Sequence, residues 1–153
     1  MPENTKLSKI IEPPSVWQQS KLLNRYYEKV GKAAAGIGHC PRFTEFRAGY
    51  GLVDDAESAK PVLLPIPPDM NEIPEEFYRG LVEVSYSNGI TLCKCEIPQG
   101  AVGAPVRHNL IGVFDQDSDL IAVCQTLPDW VTPTEIYRAF PAITFPLETE
   151  NAE

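Results

Sequence analysis

At 153 residues with 43% apolar content, the chain is long enough for one domain with its own core. A formal net charge of −8 leaves no basic face for phosphate neutralisation, so nucleic acid is not an expected partner. No apolar run approaches the roughly 18–20 residues of a membrane span and the opening Met-Pro-Glu-Asn-Thr-Lys lacks a signal-peptide pattern, so neither a membrane partner nor secretion is expected.

Residues 1–14 are polar, end in Pro13-Pro14 and read as an N-terminal arm. Ser15-Val-Trp-Gln18 has capping-box spacing. Val16, Leu23, Tyr26 or Tyr27, Val30 and Ala34 then fall on one helical stripe, so an amphipathic helix is expected over 15–36, closed by Gly36 and Gly38. Arg42 to Ala48 alternates as a strand, turned by Gly49-Tyr-Gly51. Residues 52–74 form a long connection, acidic first and then Val62-Leu-Leu-Pro-Ile-Pro-Pro, of the kind that is functional or ordered on a neighbour. A helical turn is expected within 73–79.

Leu81 to Tyr86 and Ile90 to Ile97 are strand-like runs around Ser87-Asn-Gly89, a strong hairpin signal. In the second run Thr91, Cys93, Cys95 and Ile97 share the face better suited to a core. Val106 to Phe114 and Leu120 to Thr126 form another hairpin around an acidic turn. Tyr137 to Phe145 is a last strand, placed at an edge by Pro141. Fifteen prolines, concentrated at 61–74 and 128–146, argue against a helical bundle. The expected fold is mainly β (α+β): a small antiparallel β-sandwich over 37–147 with one N-terminal amphipathic helix and a C-terminal tail at 148–153.

Few constellations suggest chemistry. Asp115, Asp117 and Asp119 resemble the start of a calcium loop, but Leu120 stands where that loop needs Gly and Thr126 where it needs a bidentate carboxylate. A solvated hairpin turn is favoured over a weak cation site. Cys93, Cys95, His39 and His108 could serve a small thiol- or metal-dependent enzyme, yet there is no Cys-x-x-Cys knuckle, and free cysteines are usually core residues. His108 alternates with Val106 and Leu110 and reads as a core or interface histidine before a catalytic base. No nucleophile motif or phosphate loop is present, so catalysis, metal and cofactor are not expected. Trp17, Tyr26 and Tyr27 share the expected helix, and both tyrosines cannot face one core, so one is a candidate anchor for a partner. Trp130, between loop residues, either caps the open end of the sandwich or touches a partner.

The acidic hairpin carries a resemblance. Gly112-Val-Phe-Asp-Gln-Asp-Ser-Asp-Leu-Ile-Ala-Val123 is similar to the Gly-Leu-Phe-Asp-x-Asp-Gly-Asp-Leu-Ile-Ala-Val segment in the N-terminal domain of tail-collar fibre proteins of contractile-tailed phages and phage-like bacteriocins. Phe43-Thr-Glu-Phe-Arg-Ala-Gly-Tyr-Gly51, Glu75-Glu-Phe-Tyr-Arg79 and Glu96-Ile-Pro-Gln-Gly-Ala-Val-Gly103 resemble further family pieces in the same order, so the likeness covers most of 20–147. Ser118 stands where the family has Gly, and Ala104-Pro-Val-Arg-His-Asn109 differs from the usual Trp-Thr-Ile-Arg-Glu. The family has a fibre shaft after this domain, and none is expected after Glu153, so a separate chain would supply receptor binding, or Leu147 to Glu153 would lead into a docking contact. The resemblance implies a virion structural protein assembled in the host cytoplasm, an adaptor attaching a receptor-binding fibre to a baseplate. It implies partners in a baseplate wedge protein, a tail-fibre or receptor-binding protein and further copies of the chain, most simply as a trimer. The partner-facing candidates are Trp17, Tyr26, Tyr27, Leu64, Ile66 and Trp130.

Overall fold

The computed structural model describes residues 17–54 and 61–145. The expected arm at 1–14 and tail at 148–153 lie outside these residues. The chain is mainly β, with antiparallel sheets and one helix. Its elements are β1 (Trp17–Leu22), α1 (Asn24–Ala34), β2 (Glu45–Gly49), β3 (Val53–Asp54), β4 (Val62–Leu63), β5 (Tyr78–Leu81), β6 (Glu83–Ser87), β7 (Ile90–Ile97), β8 (Val106–Phe114), β9 (Leu120–Val131), β10 (Tyr137–Ala139) and β11 (Ala142–Thr144).

A five-stranded sheet runs β1-β9-β8-β2-β5. In a second sheet, β7 pairs with β6 on one side and with β10 and β11 on the other. The last two are one interrupted strand, because their register against β7 is continuous from Tyr137↔Ile97 to Thr144↔Ile90. At the break Cys93 donates its N–H to the Pro141 carbonyl at 2.9 Å, and Pro141 has no N–H to return. Asn88 and Gly89 take φ of 50° and 84°, which closes the β6–β7 turn as expected.

The two sheets face each other across Phe46, Ala48, Cys93, Cys95, Ile97, Ile111, Val113, Ala122, Cys124 and Ile143, all buried. Thr91, Cys93, Cys95 and Ile97 do point inward. The outer face of the five-stranded sheet is covered too. Leu110, Phe114, Leu120 and Val123 pack there against Leu23, Ile66 and Ile73. Burial on both faces explains why β8 and the start of β9 read as near-continuous apolar runs.

The outer cover corrects two expectations. Part of the Pro-rich connection packs on the chain's own sheet: Ile66, expected to face a partner, is 2% exposed and Ile73 6%, whereas Val62 and Leu64 stay exposed. Lys21 Nζ donates to the Ile66 carbonyl at 3.0 Å, and Asn24 N–H to Pro68 O at 2.9 Å. Buried Gln125 donates from Nε2 to the carbonyls of Leu52 and Leu64, each at 2.9 Å. Buried Asn109 exchanges both of its amide groups with the Gly51 backbone at 2.8 and 2.9 Å. These amides satisfy loop backbone that would otherwise be stranded under the cover. Residues 73–79 give a turn and the start of β5, not the helical turn expected.

The helix expected over 15–36 is split. Trp17–Leu22 is a strand along β9, with a bulge between Trp17 and Gln19, and only Asn24–Ala34 is helical. The open backbone edge of β9 offers this segment a full ladder, which outweighs the local capping-box signal at Ser15. The end at Gly36 (φ 84°) is as expected, with Ile37 N–H bonded to Lys32 O at 2.8 Å.

Gly112 permits the close approach of the cover. A Cβ there would lie 2.5 Å from Ile73 Cγ1 and 2.7 Å from Leu120 Cδ1. Gly112→Ala should therefore lower unfolding free energy by about 1–3 kcal/mol, read as a fall in urea midpoint with unchanged slope. An unchanged midpoint would mean that the cover is loosely held.

Candidate docking surface

The tip of the β8–β9 hairpin is built around Asp115. Its N–H bonds to the Asp119 carbonyl at 3.0 Å, and its carbonyl accepts from Ser118 N–H at 2.9 Å. Its Oδ1 accepts the N–H groups of Asp117 and Asp119, both at 3.0 Å. This is a three-residue loop whose last member must be left-handed, and Ser118 has φ 63°. The position where the family resemblance has Gly is thus the one where the backbone favours it.

Asp115, Asp117 and Asp119 form the single group of three or more possible metal-ligand side chains found among the described residues. A lysine fills it. Lys29, on α1, sets its Nζ 2.6 Å from Asp115, 3.1 Å from Asp117 and 2.6 Å from Asp119. Burial pulls the ammonium down, but hydrogen bonds to Asp115, Asp119 and Asp117 together outweigh it and hold the group well above the usual lysine range. The Asp115 side chain is fully buried, so its charge requires this partner. Gln116 fastens the other side of the tip, accepting Arg42 N–H at 2.9 Å and donating to the Cys40 carbonyl at 3.2 Å. The acidic turn joins α1 and the 40–42 segment to the sheet; it is more than the solvated turn expected.

The residues of the enzyme alternative are not assembled. Cys93, Cys95 and Cys124 are free, buried thiols between the sheets. Burial pushes Cys93 and Cys124 up to about 12 and Cys95 higher, which disfavours the thiolate that nucleophilic attack or metal ligation needs. His39 is exposed in the segment after α1. His108 is fully buried, edge-on to Tyr137 at 5.0 Å and Phe77 at 5.9 Å between ring centroids. Burial lowers its pKa from 6.5 to about 4; a hydrogen bond to the Gly49 backbone and the charge of Asp129 offset only part of that.

An apolar groove of about 500 Å³ lies between α1, the 41–44 segment and the inner side of β6. Tyr26, Phe43 and Phe145 form its floor; Phe43 and Phe145 stack at 6.3 Å, and Tyr26 tilts onto Phe145 at 5.8 Å. Val84 and Tyr86 form the far wall, 49% and 66% exposed. The ionisable side chains of the lining are Tyr26, Tyr86 and Arg42, which make no acid–base pair. The groove is suited to receiving apolar side chains.

Of the six partner-facing candidates, Tyr26 lines this groove and Tyr27 stands exposed beside it, 5.3 Å from Tyr26 in a T-shaped pair. Leu64 is exposed on the outer cover, while Ile66 is committed to the core beneath it. Trp130 is 56% exposed on β9, opposite Arg107. Trp17 belongs to β1 instead of a helix, so it does not share an element with the tyrosines. Phe43, Val84, Tyr86 and Phe145 are the groove residues that sequence reasoning missed. The exposed apolar pair on β6 was visible, but its separation from the larger sheet was not.

Two measurements check this electrostatic picture. Lys29→Met should cost about 2–3 kcal/mol in urea unfolding by leaving buried Asp115 without its cation. Adding Asp115→Asn should recover part of the loss, whereas additive losses would show that the pair is not coupled. The second concerns His108. Its depressed value means that the unfolded chain takes up the proton first, so the contribution is intact above about pH 6.5 and lost as pH falls toward 4. By pH 5 that loss is about 2 kcal/mol, and His108→Phe should remove it from the stability–pH profile.

No family model, curated protein or solved structure matches this chain.

Proposed function

We propose that the chain is a structural component of a contractile phage-type tail, an adaptor that attaches a receptor-binding fibre to the baseplate. The observation that carries this reading is the Gly112–Val123 segment, in which the residues shared with tail-collar fibre proteins hold framework positions. Gly112 admits the outer cover, Phe114 fills it, Asp115 closes the turn and Leu120 and Val123 pack beneath the cover. These duties are those of a scaffold, which suits an adaptor whose work is binding. The groove beside α1 supports the same reading, because it offers aromatic and aliphatic surface without an acid–base pair.

In this role the doubly covered sheet is the rigid body, and its margins meet the neighbours. A baseplate wedge protein and a fibre or receptor-binding protein are the proposed partners, with further copies of the chain around the tail. Of the partner-facing candidates, Tyr26, Tyr27 and Trp130 are exposed or half-exposed aromatics available to them.

Gradient sedimentation of lysate from producing cells tests the proposal. The chain should travel with contractile tails at a fixed ratio to a baseplate protein. Its confinement to the soluble fraction, in the presence of complete tails, would overturn the adaptor reading.

A further inference from the structure

Natural sheets protect their edges with very short strands, charged side chains (lysine above all), proline or β-bulges, because an open edge is a template for another strand. Among the described residues, β6 stands apart from the other edge strands. β1 carries Lys21 and a bulge, β5 is four residues long with Arg79, β10–β11 is interrupted at Pro141 and carries Arg138, and β3 and β4 are two residues each. β6, Glu83-Val-Ser-Tyr-Ser87, carries no proline, bulge or basic residue, and among the described residues it pairs with β7 alone. Its single charge, Glu83, lies at one end, 3.9 Å from Lys94. All five of its residues are exposed, so the larger sheet does not cover it on either face.

We propose that β6 pairs with β6 of a second copy of this chain, antiparallel and centred on Ser85, joining the two smaller sheets into one. This goes beyond the tail reading and does not depend on it.

The register argues for a second copy as the occupant. Ser87 and Ile90 close a two-residue turn and therefore exchange their backbone bonds with each other. Bonding alternates along an antiparallel ladder, so Glu83, Ser85 and Ser87 bond toward β7, and Val84 and Tyr86 present N–H and C=O to the open edge. Pairing about Ser85 sets Val84 of each copy opposite Tyr86 of the other, so outward groups meet outward groups. The same register makes an aromatic–β-branched cross-strand pair, a favourable combination. It also places Glu83 opposite Ser87 and keeps the two glutamates at opposite ends, avoiding the like-charge contact of a parallel arrangement. Val84 and Tyr86 share the groove face with Cys93 and Thr91. The two-fold axis runs perpendicular to the joined sheet, so the two grooves open on the same side and Val84 and Tyr86 become covered at their meeting. Such an isologous contact closes at two copies, and a three-fold assembly would have to use a different surface.

Sedimentation equilibrium of the purified full chain tests this. A two-copy species is expected, strengthened by salt because each copy carries a net charge of −8. Val84→Pro, at an outward position that leaves the β6–β7 backbone ladder in place, should weaken association by more than about tenfold, and so should Tyr86→Lys, which keeps that ladder but removes the hydroxyl that accepts the Gly89 N–H at 3.0 Å. Hydrogen exchange on the unmodified protein supplies a readout that needs no variant: the Val84 and Tyr86 amides should gain protection as concentration rises. A chain that stays single, a trimer, or a pair whose Val84 and Tyr86 amides stay unprotected would overturn the proposal.

Discussion

The structure depends on one constraint: the β8–β9 ladder is buried on both faces. A single sheet face can be covered by a second sheet, but two faces require two covers. The smaller sheet supplies one and the 61–76 segment with Leu23 supplies the other. This arrangement accounts for features that would otherwise look unrelated. Gly112 must be small because Ile73 lies against it, and Asn109 and Gln125 must be polar because loop backbone crosses the sheet above them. β1 closes one edge of the ladder, and in doing so removes from the helix the residues that precede Asn24.

The end of that ladder sets the position of α1. No residue of the helix is fully buried, so apolar packing alone holds it weakly. Lys29 compensates by reaching across to three carboxylates, one of them fully buried. Charge repulsion among the three aspartates would open the turn, and a cation in their midst is required. Here the cation is covalently part of the chain, so the hairpin tip and the helix are specified together. The groove follows from this placement, since Tyr26 on the helix forms its floor beside Phe43 and Phe145.

Much of the fold was legible from local pattern. Asn88-Gly89 announced its turn, Pro141 its edge and the Thr91–Ile97 alternation its inward face, because each is a short-range signal with a direct backbone or burial cause. The sequence misled where tertiary contacts decided the outcome. Ser15 and Gln18 look like a helix start, yet the open edge of β9 drew Trp17–Leu22 into a strand. Ile66 sits in a proline-rich stretch that resembles an exposed loop, and only the face of the sheet beneath it reveals that it is core. The role of Lys29 has no sequence signal, since its partners lie 86 or more residues away. The groove was hidden for the same reason: Tyr26, Phe43, Tyr86 and Phe145 come together only after both sheets form.

A rigid centre with binding at its margins is the central claim, and native-state hydrogen exchange tests it most directly. The amides of 110–114 and 120–125 should exchange only through global unfolding, at the free energy measured by urea, while the outer cover and the β6–β7 hairpin open at lower free energy. Exchange of the β8–β9 amides through a cheaper local opening, ahead of β6–β7, would contradict it, because a ladder held on both faces cannot separate before its covers do.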